Sequence, residues 1–126
     1  MANRTWKLDP VSFFKCLADE TRLRCLMLIE QEQELCVCEL TEALKEIQPK
    51  ISRHLSQLRQ CDLLLDRRQG QWVFYRINPD LPGWARSVLQ QTTESNQVFL
   101  QQSLKQLSRM GERPERKSIC NRVSVN

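Results

Sequence analysis

The chain carries one histidine, one tyrosine and three glycines in 126 residues. A single imidazole leaves no set of histidines to close a metal site and no spare base for nucleophilic catalysis. So few glycines leave no glycine-rich loop to cradle a phosphate. There is no apolar segment long enough to span a bilayer, and the opening Met1-Ala2-Asn3-Arg4-Thr5-Trp6-Lys7 has no apolar stretch of the signal-peptide kind. These absences predict a cytoplasmic protein with no membrane partner, in which thiols stay reduced. Against that background six cysteines stand out, two of them one residue apart.

The chain has the size of one modest domain, or of a subunit that completes its core by dimerising. The net charge of +4 is small, but it is unevenly placed. From Asp19 to Glu46 eight acids face three bases, whereas from Gln48 to Ile77 six bases face Asp62 and Asp66. A basic middle beside an acidic first half points to a surface that meets phosphate.

Asp9-Pro10 predicts a helix start, with a side-chain acceptor before a proline in the first turn. Asp19-Glu20-Thr21 restarts the helix, and Leu23, Leu26, Met27 and Leu28 mark a largely buried second one to about Glu30. A third, short helix takes in Glu39 to Leu44. A fourth opens at Gln48-Pro49 and runs to about Cys61. The period then changes to two short strand-like runs, 63–67 and 72–77, around a turn at Arg68 to Gln71 with Gly70 at the tip. One long helical segment, with a polar middle from Gln90 to Gln97, is expected from Pro82 to Arg109. The expected class is mainly α with a small β-hairpin, a winged helix-turn-helix over residues 1–109, followed by a basic C-terminal tail over 110–126.

At about 100° per residue, Ile51, Leu55 and Leu58 of the fourth helix fall within about 60° of one another and form a core stripe. The opposite half carries Ser52, Arg53, Ser56, Gln57 and Gln60, with Gln48 in the first turn and no carboxylate. Such groups suit base edges and phosphates of double-stranded DNA. Lys50 and His54 sit on the flanks, where phosphate contact and a structural role are both open for the histidine. Arg67, Arg68 and Arg76 on the hairpin would extend the positive surface as a wing, with Trp72, Phe74 and Tyr75 packing it to the body.

Cys36 and Cys38 precede or open the third helix, where free N–H groups favour thiolate, although Glu34 and Glu39 oppose it. Helical residues two apart point about 200° from each other, while extended ones share a face. Both thiols on one centre would therefore hold 36–38 out of the helix and pull on its start. Soft thiolates select thiophilic ions. The last helical segment has no His, Cys or Asp, which argues against zinc there. A trivalent metalloid needs only sulfur in a pyramid. Cys25 reads as core; Cys16 and Cys61 lie near helix surfaces or ends with no local partner; Cys120 sits in the tail.

Leu17-Ala18-Asp19-Glu20-Thr21-Arg22, Glu34-Leu35-Cys36-Val37-Cys38-Glu39-Leu40, Gln48-Pro49-Lys50-Ile51-Ser52-Arg53-His54-Leu55 and Leu63-Leu64-Leu65-Asp66-Arg67-Arg68 occur in this order. With Gly70 to Tyr75 they resemble the ArsR/SmtB family of metal-responsive winged-helix repressors, and within it the arsenical-resistance repressors. The resemblance covers Pro10 to about Trp84. It implies a homodimer paired through its first and last helices, with no permanent cofactor and no enzymatic activity. It further implies an operator before genes for arsenical efflux or reduction, released when As(III) or Sb(III) binds Cys36 and Cys38. The founding members place a third cysteine where this chain has Thr41. The family's cadmium and lead sensors add thiols from an N-terminal arm, and residues 1–9 here contain none. A two-sulfur site, a small cellular thiol, or Cys120 could complete the ligand set. A cadmium-, lead- or redox-responsive repressor using the same thiols is the alternative.

Overall fold

The computed structural model describes residues 9–111. The elements run α1 (Pro10–Leu17), α2 (Glu20–Glu32), β1 (Leu35–Cys36), α3 (Val37–Leu44), α4 (Gln48–Gln60), β2 (Leu64–Gln69), β3 (Trp72–Ile77), α5 (Gly83–Ser95) and α6 (Gln97–Arg109). The strands form one antiparallel sheet in the order β1-β3-β2. A winged helix-turn-helix results, with α3 and α4 as the two helices of the motif and β2–β3 as the wing.

Both opening caps behave as their residues dictate. Ser12 N–H donates to Asp9 Oδ1 at 2.8 Å, and Arg22 N–H donates to Asp19 Oδ2 at 3.0 Å. Between them α1 ends, and α2 begins at a new angle. Five consecutive residues of α2, Cys25 to Ile29, are buried. Five consecutive buried residues span more than a full turn, so this middle section must be enclosed on all sides, and α2 packs against α1, α4, α5, α6 and the sheet. Phe13, Leu40, Ile51, Leu55, Leu58 and Leu63 complete this core.

The scarcity of glycine shows in the turns. Gln33, Lys45 and Asp62 all take positive φ, at 80°, 56° and 67°. Each ends a helix where glycine is the unstrained choice, at roughly 1–2 kcal/mol per non-glycine residue. Glycine takes positive φ at the wing tip, Gly70 at 64°, and just past the end of α6, Gly111 at 80°.

Two expectations need correction. The two residues after the turn at Gln33 form β1, pairing Leu35 with Tyr75 and Cys36 with Phe74. So short a strand carries no alternation to betray it. The long last helix is in fact two, divided at Asn96 (φ −132°, ψ 45°). The polar run there supplies side chains that compete for backbone carbonyls: Thr93 Oγ1 donates to Leu89, Asn96 Nδ2 to Thr92 and Gln97 Nε2 to Thr93, all within 2.9 Å. Past the break α6 folds back onto α3 and α2, and Arg24 donates to the Phe99 carbonyl at 2.6 Å.

Burial of Cys25 has a measurable consequence. Desolvation pushes its thiol from 9.0 up to about 12. Below pH 9 the group is protonated in both folded and unfolded chains and contributes no pH dependence. Above pH 9 the unfolded chain ionises first, so stability falls until the folded pKa is reached. Urea unfolding at pH 8 and pH 10 should show this loss, and Cys25→Ala should reduce its slope by up to about 1.4 kcal/mol per pH unit.

Candidate DNA-reading face and thiol site

The core stripe of α4 is as expected, with Ile51, Leu55 and Leu58 fully buried. Turning that stripe inward leaves Gln48, Arg53 and Gln57 exposed, with Ser52, Ser56 and Lys50 half-buried beside them. Arg53 makes no ion pair among the described residues, so its guanidinium is available to an outside partner. Lys50 pairs with Glu46 at 3.1 Å. Gln57 accepts from Arg22 Nη1 at 3.3 Å, so its side-chain carbonyl is shared.

His54 belongs to the body of the protein, not to the phosphate-facing flank. It is 8% exposed, its Nε2 lies 3.8 Å from Asp19 Oδ2, and its Nδ1 is buried without a hydrogen-bond partner among the described residues. The helix wheel had placed it at a boundary, and the neighbouring α2 cap covers it.

The wing arginines do not form one surface. Register pairs Arg68 with Val73, Arg67 with Phe74 and Leu65 with Arg76. Alternation therefore puts Arg67 and Arg76 on one face and Arg68 on the other. Arg67 is held by Glu34 through Nε and Nη2 at 2.8 and 2.7 Å, and stacks 4.5 Å over the Phe74 ring. Arg76 lines a separate cleft with Glu30 and Arg86. Arg68 alone of the three shares a cleft with α4. Phe74 and Tyr75 are buried and Trp72 is half-buried, which fastens the wing to the body.

The two cysteines straddle the start of α3; Cys36 is a free thiol, whereas Cys38 is disulfide-bonded in this structure, so a site using both sulfurs requires the reduced chain. Cys36 is its N-cap, in extended conformation at φ −93°, ψ 167°, and Cys38 is already inside the first turn. Without a bound centre, Cys36 is extended and Cys38 helical. A reciprocal cap holds the junction: Cys36 N–H donates to Glu39 Oε1 at 2.8 Å, and the Cys36 sulfur accepts from the Glu39 N–H. Burial, then the charge of Glu39, pushes the Cys36 thiol from 9.0 up to about 11. Glu34 does not act on the pair as expected, since Arg67 takes its carboxylate. Thr41 Oγ1 donates to the Val37 carbonyl at 2.8 Å, so its hydroxyl proton is engaged along the helix. Cys120 lies outside the described residues.

Both sulfur-bearing residues line a cleft of ≈ 280 Å³ whose other walls are Gln48, Ser52, Ser56 and Arg59 of α4 and Asp66, Arg68 and Tyr75 of the wing. Arg59 and Gln71 in this cleft were not anticipated. Arg59 could have been found on the α4 wheel, where it falls at about 80° from Ile51, between Gln48 and Ser52, whereas Gln71 depends on how the wing folds back. Two cysteine sulfurs and no imidazole line the cleft, and among the described residues no group of three or more His, Cys, Asp or Glu is arranged to hold a metal ion.

A model of the bacterial regulatory protein, arsR family, matches residues 19–64. The chain is 52% identical over 113 residues to "Arsenic resistance transcriptional regulator ArsR1" of Pseudomonas putida, covering 90% of this chain and 88% of that one. It is 46% identical over 114 residues to the "Arsenical resistance operon repressor" of Escherichia coli K12, covering 90% and 97%. Among solved structures, HlyU from Vibrio cholerae N16961 superposes with a TM-score of 0.61 at 29% identity, over 68% of this chain and 89% of that one. The AntR antimony-specific transcriptional repressor does so with a TM-score of 0.59 at 25% identity, over 80% and 93%. Likeness of this extent, on a winged helix-turn-helix built by the same segments, makes the chain a member of the arsR family of bacterial regulatory proteins.

Proposed function

We propose that the protein is a transcriptional repressor of an arsenical-resistance operon, which leaves its operator when arsenite or antimonite binds Cys36 and Cys38. The observation that carries this reading is the shared cleft, in which Cys36 and Cys38 stand beside Gln48, Ser52 and Ser56 of α4 and Arg68 of the wing. The names of the Pseudomonas and Escherichia relatives support the same regulatory role. DNA would be contacted by Gln48, Lys50, Ser52, Arg53, Ser56 and Gln57, with Arg68 from the wing.

The bound centre supplies a second pull on the start of α3, because it must draw an N-cap sulfur and a first-turn sulfur together. That pull competes with the cap between Cys36 and Glu39 and reaches α4 through the α3–α4 packing. A third sulfur, if used, comes from a small cellular thiol in preference to Cys120, because docking a tail costs conformational entropy. A homodimer would pair through α1 and the last helices, where Val11, Phe14, Val98 and Phe99 remain at the surface. No described helix is long and apolar enough to cross a membrane.

Titrating the complex of reduced protein and its upstream inverted-repeat duplex with arsenite, antimonite, cadmium, lead and peroxide tests the proposal. Release by the two trivalent metalloids at stoichiometric concentration is expected. Release by cadmium or lead, or by peroxide without arsenite, would instead favour a divalent or redox signal at the same thiols.

A further inference from the structure

A second thiol pair lies outside the cleft, and the chain separation of its members hides it from sequence. Cys16, the penultimate residue of α1, and Cys61, the C-cap of α4, place their sulfurs 2.9 Å apart across 45 positions of sequence. Both are free thiols and both are half-buried. The approach is held from two sides. Arg22 donates through Nε to the Cys16 carbonyl at 2.8 Å, through Nη2 to the Lys15 carbonyl at 3.2 Å, and through Nη1 to Gln57. The end of α4 is fixed by Cys61 N–H on the Gln57 carbonyl at 3.1 Å and by Asn78 Nδ2 on the Asp62 carbonyl at 2.9 Å.

The spacing discriminates between chemistries. With metal–sulfur bonds of about 2.3 Å, a tetrahedral ion would hold two sulfurs about 3.8 Å apart and a linear one about 4.6 Å. A disulfide needs about 2.05 Å. The observed distance is shorter than either metal bridge and falls between contact and bond. We propose that Cys16 and Cys61 are a dithiol that hydrogen peroxide oxidises to a reversible disulfide, fastening α1 to the end of the DNA-reading helix.

The step balances without any group beyond the peroxide. Cys61 sulfur attacks the O–O bond, becoming a sulfenic acid as one water leaves. Cys16 sulfur then displaces the hydroxyl as a second water. Two thiols and one peroxide give one disulfide and two waters, and the two electrons pass from sulfur to oxygen. The balance is the same whichever of the two sulfurs takes the first oxygen, because at 2.9 Å either is within reach of the other. The inference does not rest on the function of Cys36 and Cys38.

The test uses the reduced full chain, one equivalent of hydrogen peroxide, alkylation of remaining thiols, and tryptic mapping. Cleavage after Lys15, Arg22, Arg59 and Arg67 isolates segments 16–22 and 60–67. A disulfide joining these two segments is expected as the main product, lost on reduction with dithiothreitol. The oxidised chain should also show a higher urea midpoint, since the bond closes a long loop in the unfolded state. In Cys16→Ser the crosslink should vanish and a dimedone adduct appear on Cys61. Single-sulfur oxidation in the wild type without the 16–22 to 60–67 crosslink overturns the proposal. So does oxidation of Cys36 while Cys16 and Cys61 stay reduced.

Discussion

Cys36→Ser is expected to bind operator DNA like the wild type and to stay bound at arsenite concentrations that strip the wild type off. Serine keeps the junction intact, because its oxygen is a better N-cap acceptor than sulfur and its backbone N–H can still reach Glu39 at the same site. What it removes is the soft donor, since a hydroxyl is a poor partner for a thiophilic centre. Cys38→Ser, inside the first turn, should behave alike. Coupling between two ligands is typically about 1–3 kcal/mol, so a response of about 5- to 150-fold in operator affinity is at stake. Fluorescence anisotropy of a labelled duplex, titrated with arsenite for each variant, measures it. Wild-type release by either mutant would show that this cysteine is not an essential ligand.

Arg53→Ala should cost about 1–3 kcal/mol of operator binding, or roughly tenfold to more than a hundredfold, and less on random duplex. The side chain is exposed on α4, opposite the buried stripe of Ile51, Leu55 and Leu58, and has no ion pair to leave among the described residues. Arg68→Ala should weaken both duplexes alike and flatten the dependence of affinity on salt, as a phosphate contact does. Arg76→Ala should leave both affinities close to wild type, because it sits on the other pleat beside Glu30 and Arg86. Equal losses for Arg53→Ala on operator and random DNA would move the reading face elsewhere. A large loss for Arg76→Ala would do the same for the wing.

Local chemistry made much of this fold legible. Asp9-Pro10 and Asp19 announce their helices because a cap is a contact within four residues. The same is true of Ile51, Leu55 and Leu58, whose periodicity alone settles which side of α4 turns inward. Features that depend on distant partners were not legible. The wing arginines share a charge but not a face, and only the register with Val73, Phe74 and Leu65 separates them. His54 needed the position of Asp19, and the meeting of Cys16 with Cys61 needed the packing of α1 beside the end of α4. The break at Asn96 was visible as a polar run, but whether such a run bends a helix or decorates it depends on the return packing of α6. At the thiols, the pattern Cys-x-Cys was evident while its placement across a helix boundary was not, because one residue decides it.

The reciprocal cap at Cys36 joins a strand two residues long to a helix eight residues long. At 1.5 Å per residue that helix is a rod of about 12 Å, pivoted at one end and attached at the other to the turn that launches α4. A tilt of about 10° at the pivot swings the far end by about 2 Å, more than a hydrogen bond to a base edge can follow. The short strand offers little resistance to such rotation, since only two pairs, Leu35 with Tyr75 and Cys36 with Phe74, tie it to the sheet. On the function proposed above, leverage of this kind would let an atomic-scale event at one sulfur be felt as a misfit along a groove of DNA, without any large domain having to move.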